Sequence, residues 1–287
     1  MDKAAFQTFH PAVPAILFAG IIALTMFGLE PRLVGISLVS ATLFALATQG
    51  VGAALDKLRW QLPLLFLICI INPLYSANGT TLLFKLGRFY IYAESVAYGL
   101  VMGALLIAVL MWIEGMAYVV GHDELLALGR GALPTISLMA SMTMRLVPQL
   151  VRRASSVRTA LDATTASGAN GDGKAARVRV MDALMSWALE DSLERGDAMR
   201  ARGWGASPRR SSYDAHPFRP RDLAALAFVA SLIVLAAFCV RAIMGGWNFY
   251  PSMAGTSDIA ALVPAVLLYI LPFAVLSVER IRWELLP

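Results

Sequence analysis

The chain has 287 residues, of which 58% are hydrophobic and 15% are charged, and its mean hydropathy is +0.67. This composition excludes a single soluble domain and indicates a polytopic membrane protein. The formal net charge is +5, and residues 149–222 carry 13 of the 24 basic side chains against 9 of the 19 acidic ones. The positive-inside rule therefore predicts that this segment lies in the cytoplasm.

Six apolar runs are predicted to cross the membrane as helices. They are residues 12–29, 33–55, 62–75, 95–120, 223–244 and 259–278. With six spans, both termini and the basic segment share the cytoplasmic side. The count requires that residues 134–147 do not cross, because a seventh span would export the basic segment.

Short polar segments separate the first four runs. Residues 56–59 are expected to form a cytoplasmic loop. In the third run, Asn72-Pro73 withdraws a backbone donor and favours a bend or an early helix end. Residues 76–92 are expected to be irregular, with an Asn-Gly turn at 78–79 and tyrosines suited to a membrane interface.

The fourth run contains two glycines and two acids of interest. Gly99 and Gly103 are four residues apart, a spacing that lets another helix approach closely. Glu94 and Glu114 flank or enter the run, and an acid inside a span is a functional candidate. Positions near the span ends are the favoured interpretation for both acids.

Residues 134–147 form a short, methionine-rich run that begins at Pro134 and carries Arg145 near its end. Flexible methionine side chains suit a surface that repacks against changing partners, and they equally suit core filling. Pro148 is expected to close this run, so that the polar region begins at residue 149.

The polar region is expected to contain two helices and a linker. The first helix ends near Leu161, and residues 167–173 form a flexible linker. The second helix covers residues 175–201, and the chain is loop-like from Gly205 to Pro220. The second helix has an apolar stripe at helical period, which consists of Val178, Met181, Leu184 and Ala188.

The end of the second helix is the most distinctive stretch of the chain. Gly203 suits the left-handed turn that ends helices. Arg195 and Arg202 are seven residues apart, so two helical turns bring them to one face. Two ion pairs at helical spacing are also predicted: Asp191 with Arg195, and Asp197 with Arg200.

Catalytic and cofactor chemistry is not indicated. Cys69 and Cys239 lie in separate apolar runs and suggest neither a disulfide framework nor a metal site, and the histidines are isolated. Residues 168–174 have the spacing of a phosphate-binding loop, but Ala175 stands where Ser or Thr should hold magnesium. Acids interleave with the arginines, which argues against nucleic-acid binding. The first apolar run is interpreted as a retained span rather than a signal peptide.

Residues 187–205 resemble the signature of the transmembrane T component of energy-coupling-factor (ECF) transporters, the EcfT/CbiQ family. The Ala201-Arg202-Gly203 context is the most specific part of the resemblance, which covers roughly residues 60–222. Other stretches agree in order: Asn72-Pro-Leu74, Leu82-Leu-Phe84, Glu94 with Gly99, Pro134, Ser137-Leu138, Met142-Thr-Met-Arg145 and Val147-Pro148.

The resemblance implies a subunit that bridges two cytoplasmic ABC-type ATPases to a separate membrane subunit that binds the substrate. It implies an importer for vitamins or transition-metal ions, in which the substrate cannot be read from this chain. In such proteins, two short arginine motifs dock into grooves of the two ATPases. The second motif corresponds to Ala201-Arg202-Gly203. The first is expected within residues 158–165 but has lost its usual form, so that Arg158 or Arg153 would substitute.

The resemblance yields two sets of predicted residues. The predicted ATPase-coupling residues are Arg158, Arg195, Ala201, Arg202 and Gly203. The expected structural-motif residues are Asn72, Pro73, Glu94, Pro134, Arg145 and Pro148.

The predicted architecture is all-α, with multiple spans in the plasma or inner membrane. Three domains are expected: residues 1–148 in the membrane, residues 149–222 as a cytoplasmic domain of two or three coupling helices, and residues 223–287 in the membrane. A self-sufficient secondary transporter or channel stays open, which would need ionisable groups deep within spans or interrupted helices with inverted symmetry. A membrane scaffold for an unrelated complex also stays open.

Overall fold

The computed structural model describes most of the chain, and nearly all of that part is helical. The described residues are 9–75, 80–86, 89–129, 134–165, 173–206, 218–250 and 259–285. Outside them lie the predicted turn at 78–79, residues 167–172 of the predicted linker, and residues 207–217 of the predicted loop. The helices are α1 (Ala12–Phe27), α2 (Pro31–Gln49), α3 (Val51–Tyr75), α4 (Ala93–Val119), α5 (His122–Gly129), α6 (Pro134–Thr165), α7 (Gly173–Ala201), α8 (Pro220–Gly246) and α9 (Ile259–Leu285).

Four helices of the described chain are long and apolar enough to cross a membrane. These are α2, α4, α8 and the part of α9 from Ile259 to Val278. Helix α1 is also apolar but has only 16 residues. The described chain is therefore largely helical and compatible with a multi-pass membrane protein, and the count of six spans stays a prediction.

The expected loop at residues 56–59 is wrong, because these residues lie inside α3. The break in the chain comes earlier, at Gly50, whose φ of 83° lies in the left-handed region that favours glycine. Its N–H bonds to the carbonyl of Leu46 and ends α2. Lys57, which was expected in the loop, forms an ion pair of 2.8 Å with Glu114 of α4.

Helices α3 and α4 approach each other closely, as the two glycines of the fourth run predict. A Cβ on Gly99 would lie 3.0 Å from the Cβ of Asn72, and one on Gly103 would lie 3.2 Å from Leu65. Asn72 donates to the carbonyl of Ile68 at 3.3 Å. Pro73 is buried, and α3 ends two residues later at Tyr75.

The expectation of an irregular segment before α4 is wrong, because a β-hairpin forms there. Strands β1 (Leu82–Leu86) and β2 (Phe89–Tyr92) pair antiparallel. Their aromatic and β-branched residues favour strand structure. Glu94, which follows in the first turn of α4, is buried and accepts hydrogen bonds from the hydroxyl groups of Thr81 at 2.6 Å and Thr80 at 3.0 Å. Glu94 therefore fixes the start of the hairpin to α4.

An aromatic cluster forms the centre of the membrane helices. Trp112 is fully buried, and its ring contacts those of Phe18, Phe44 and Tyr269 at centroid distances of 5.9–6.4 Å. The indole N–H donates to the hydroxyl of Ser37 at 3.0 Å, which satisfies the only polar atom of the side chain. Residues from α1, α2, α4 and α9 thus share one core.

The chain forms two compact units, whose limits differ from the expected domains. The membrane unit comprises residues Met1–Leu125 and Pro217–Pro287, and the second comprises Leu126–His216. The membrane helices expected as separate N- and C-terminal domains therefore belong to one unit. The boundary expected at 148/149 falls inside α6.

Pro148 lies inside a continuous helix, because α6 extends from Pro134 to Thr165 without a break. The apolar run before Pro148 and the polar segment after it therefore share one helix. Proline removes one N–H from the helix, and the carbonyl that loses its partner belongs to Met144. Because Met144 and Pro148 are both exposed, that carbonyl can be hydrated. The helix therefore tolerates the proline, and Arg145 lies exposed in its middle.

Candidate functional site

The end of α7 has the hydrogen bonds of a Schellman motif. The N–H of Trp204 bonds to the carbonyl of Met199 at 3.0 Å, and the N–H of Gly203 bonds to that of Arg200 at 2.9 Å. Gly203 has a φ of 82°, which confirms that it makes the predicted left-handed turn. Arg202 is consequently held at the last position before the chain turns away from the helix.

Arg202 is presented to solvent. Residues 201–206 are all exposed. Among the residues that the structure describes, Arg202 takes part in no ion pair, whereas Arg200 lies 3.8 Å from Asp197 in a fully exposed pair. A cation at the C-terminal end of a helix is favoured by the helix dipole. The guanidinium group of Arg202 therefore keeps its donors available to an acceptor on another molecule.

Arg195 has a different environment from Arg202, although both were predicted as coupling residues. Its Nε donates to Asp191, one turn earlier, which confirms the predicted pair. Its Nη2 donates to Oε1 of Gln149 on α6 at 2.6 Å. Since a charge-assisted bond joins the two helices here, Arg195 positions α7 on α6.

Arg153 makes a second link between the same helices. Its guanidinium carbon lies 5.4 Å from the centroid of the Trp187 ring, within the range of a cation–π contact. Arg153 was one of two candidates for the degenerate first motif. This contact leaves Arg158 as the better candidate, because Arg153 already has a partner within the helix pair.

Arg158 lines a cavity of about 640 Å³ between α6 and α7. Arg177 of α7 and Asp162 line the same cavity, together with apolar side chains. Arg177 is 25 residues before Arg202, which places the two about 38 Å apart along α7. The structure therefore does not bring Arg158 and Arg202 together, but places them at opposite ends of the helix pair.

The predicted apolar stripe of α7 divides into two faces. Leu184 and Ala188 are half-buried, whereas Val178 and Met181 are 66% exposed. The exposed face continues at helical spacing, and its five members are Val178, Met181, Met185, Leu189 and Leu193. We call these five residues the α7 apolar face. Helix α6 also exposes apolar side chains, including Met139 and Met144.

The structural-motif residues are distributed over both units. Asn72, Pro73 and Glu94 lie where α3, the hairpin and α4 meet. Pro134 begins α6, and Arg145 and Pro148 lie within it. They do not form one site with Arg202. The residues that sequence reasoning missed are Gln149 and Arg177, for which no spacing or motif provides a signal, because each meets its neighbours only through the antiparallel packing of α6 and α7.

Comparisons of the sequence with protein-family models and with curated proteins find no match. The resemblance to the T component therefore depends on residues 187–205 and the shorter stretches that accompany them. The geometry around these residues is an exposed guanidinium group at one end of a helix pair, an arginine-lined cavity at the other, and an uncovered apolar face between them.

Proposed function

We propose that this chain is the energy-coupling transmembrane subunit of an ECF-type importer in the plasma or inner membrane. It bridges two ABC-type ATPases to a separate membrane subunit that binds a vitamin or a transition-metal ion. The observation that carries the proposal is Arg202, because it is exposed, follows a helix end fixed by Gly203, and lies in the stretch that resembles the family signature.

The α6–α7 pair transmits the motion of the ATPases in this proposal. Arg195 with Gln149, and Arg153 with Trp187, tie the two helices at separate levels. A displacement of one helix end by an ATPase would therefore move the pair as a unit. ATP is hydrolysed in the partner subunits, so this chain needs no catalytic residues of its own.

The separation of Arg158 and Arg202 supports two docking points rather than one. Arg177, which lines the same cavity as Arg158, is separated from Arg202 by about 38 Å of helix. A separation of this order suits contacts with two different subunits. An arginine fork can bond carbonyl or carboxylate groups at each point.

The α7 apolar face supports a further contact. Leu193 is 72% exposed and Met185 is 68% exposed, and contiguous exposed apolar side chains mark a surface for a protein or a membrane. In this proposal, the substrate-binding subunit or the bilayer covers that face.

Purification of the tagged chain from its native membranes in a mild detergent tests the proposal. We expect mass spectrometry to identify one or two ABC-type ATPases and a small membrane protein in the same complex. Vesicles that contain the complex should accumulate cargo only when ATP is supplied. Transport by the purified chain with no nucleotide-hydrolysing partner would refute the proposal.

A secondary transporter is the second candidate, and one observation favours it. Glu30 is fully buried, and neither of its carboxylate oxygens has a hydrogen-bond partner among the described residues. Ionisable groups withdrawn from water are the type of group that such transporters use. Uptake by the chain alone in response to an ion gradient, lost in Glu30→Gln, would favour this candidate over the first.

A further inference from the structure

A groove with one charged side chain lies between α1 and α8. Its volume is about 430 Å³, within the range of ligand sites. The walls are apolar and include Phe27, Ala237, Val240 and Met244. Among the described residues, Arg241 is the only charged side chain that lines the groove. Phe27 and Ala237 are exposed, so the groove is open along its side.

The groove has an apolar end and a cationic end. At the apolar end, Ile233 packs against Gly20, where a Cβ would lie 2.3 Å from Cδ1 of Ile233. Arg241 follows eight residues later on α8, about 12 Å further along the helix. Both α1 and α8 end shortly beyond this level, at Phe27 and Gly246. The charge therefore lies near the end of a candidate span, and the apolar end lies near its middle.

Arg241 has no ion-pair partner among the described residues. A charged group within a span is costly unless it is paired or reaches the interface, and it marks a functional position by default. The guanidinium fork matches the geometry of a phosphate group. Residues 247–258, which follow α8, contain no lysine or arginine. Arg241 is therefore the last basic residue of α8 before this connection.

We propose that the groove binds an anionic phospholipid. One of its acyl chains lies against Phe27, Ala237 and Val240 and points towards Gly20, and its phosphate pairs with Arg241. The length fits, since one leaflet of a bilayer provides about 15 Å of hydrocarbon. The lipid covers the open side of the groove with an apolar chain, and it provides an anion that pairs with Arg241.

Native mass spectrometry of the delipidated full chain, titrated separately with phosphatidylglycerol and phosphatidylcholine, tests the site. We expect phosphatidylglycerol to bind about tenfold more tightly, which corresponds to about 1.4 kcal/mol. Both lipids carry a phosphate, but the choline ammonium of phosphatidylcholine offsets that charge and repels Arg241, whereas phosphatidylglycerol has no cationic group. Arg241→Gln should abolish this preference, and Arg241→Lys should retain most of it. Ala237→Phe should fill the groove and weaken the binding of both lipids.

Ala242→Phe is the matched control, because Ala242 is exposed at the same depth of α8 but does not line the groove. It should bind both lipids as the unmodified chain does. Equal affinity for both lipids in the unmodified chain, or a preference that survives Arg241→Gln, would overturn the proposal. Loss of a co-purified membrane subunit in Ala237→Phe, with lipid binding unchanged, would overturn it in favour of a protein interface.

Discussion

The membrane unit and the α6–α7 pair differ in how much of their apolar surface they cover themselves. In the membrane unit, Trp112, Phe18 and Ile21 are fully buried. In the second unit, Ser137 is the only buried residue in the part that the structure describes. The membrane unit therefore has a buried core of its own, whereas the helix pair leaves an apolar face exposed.

The two units also use different contacts. Aromatic rings and closely packed glycines hold the membrane helices together, as at Trp112 and Gly99. Directed polar contacts, chiefly those of Arg195 and Arg153, join α6 to α7. Truncation of a large side chain should consequently lower the free energy of unfolding most in the membrane unit. In the helix pair, loss of a single polar contact should have a measurable effect.

The largest effect is expected for Trp112→Ala. Removal of a fully buried tryptophan leaves a cavity and one fewer hydrogen bond to Ser37, which keeps its bond to Thr25 at 2.9 Å. We therefore expect a loss of about 3–5 kcal/mol in the free energy of unfolding. Trp60→Ala is the control, because Trp60 is 85% exposed. Circular dichroism during reversible unfolding in detergent measures both variants. Equal losses in the two would contradict the described core.

A smaller and local effect is expected for Arg195→Ala. The variant loses the bond to Gln149 across the helix pair, but Arg195 is 42% exposed, so solvent screening limits the cost to about 1 kcal/mol. Hydrogen exchange in α7 should accelerate while α4 stays protected. Arg200→Ala, which removes an 82% exposed side chain, should leave the exchange of both helices unchanged.

The smallest expected effects have opposite signs at two glycines, Gly196 within α7 and Gly203 in the turn that follows it. Gly203→Ala forces a Cβ into the left-handed region and should destabilise the end of α7 by about 1 kcal/mol. Gly196 lies inside α7 with open space around it, so Gly196→Ala should stabilise the helix by about 0.5–1 kcal/mol. Hydrogen exchange of residues 196–201 reports both, and unchanged or slower exchange in Gly203→Ala would refute the assigned turn.

Features that depend on local sequence could be predicted. Gly203 ends α7 because a left-handed residue needs no Cβ, and the two acid–arginine pairs of α7 follow from helical spacing. Gly99 and Gly103 indicated a close helix contact, although their partner α3 was not identifiable. Each of these predictions needs only residues within a few turns of one another.

Features that depend on competition between elements could not be predicted. Hydropathy alone placed a span across Gly50, where the backbone breaks, and placed a loop at 56–59, where Lys57 is stabilised by Glu114 from another helix. Pro148 looks like a helix end, yet α6 continues because only one exposed bond is lost. The β-hairpin was not predicted from the sequence, because the residue that holds its start, Glu94, follows the strands in the chain and lies outside them.

The candidate site shows the same division. The position and exposure of Arg202 follow from its own helix end, so the sequence was sufficient to identify it. The role of Arg195 depends on Gln149, which is 46 residues away in the chain. The sequence places Arg195 and Arg202 on one helical face. In the structure, however, Arg195 joins α7 to α6, whereas Arg202 is exposed beyond the end of α7.

The most direct test of the account compares Arg202→Glu with Arg200→Glu in the tagged chain. Both substitutions reverse an exposed charge near the same helix end, and only Arg202 occupies the proposed docking position. The quantity measured is the amount of ABC-type ATPase retained per chain after purification. We predict that the Arg202→Glu variant retains at most about one tenth of the ATPase that the unmodified chain retains, whereas the Arg200→Glu variant retains the full amount. Equal retention by both variants and the unmodified chain would contradict docking through Arg202.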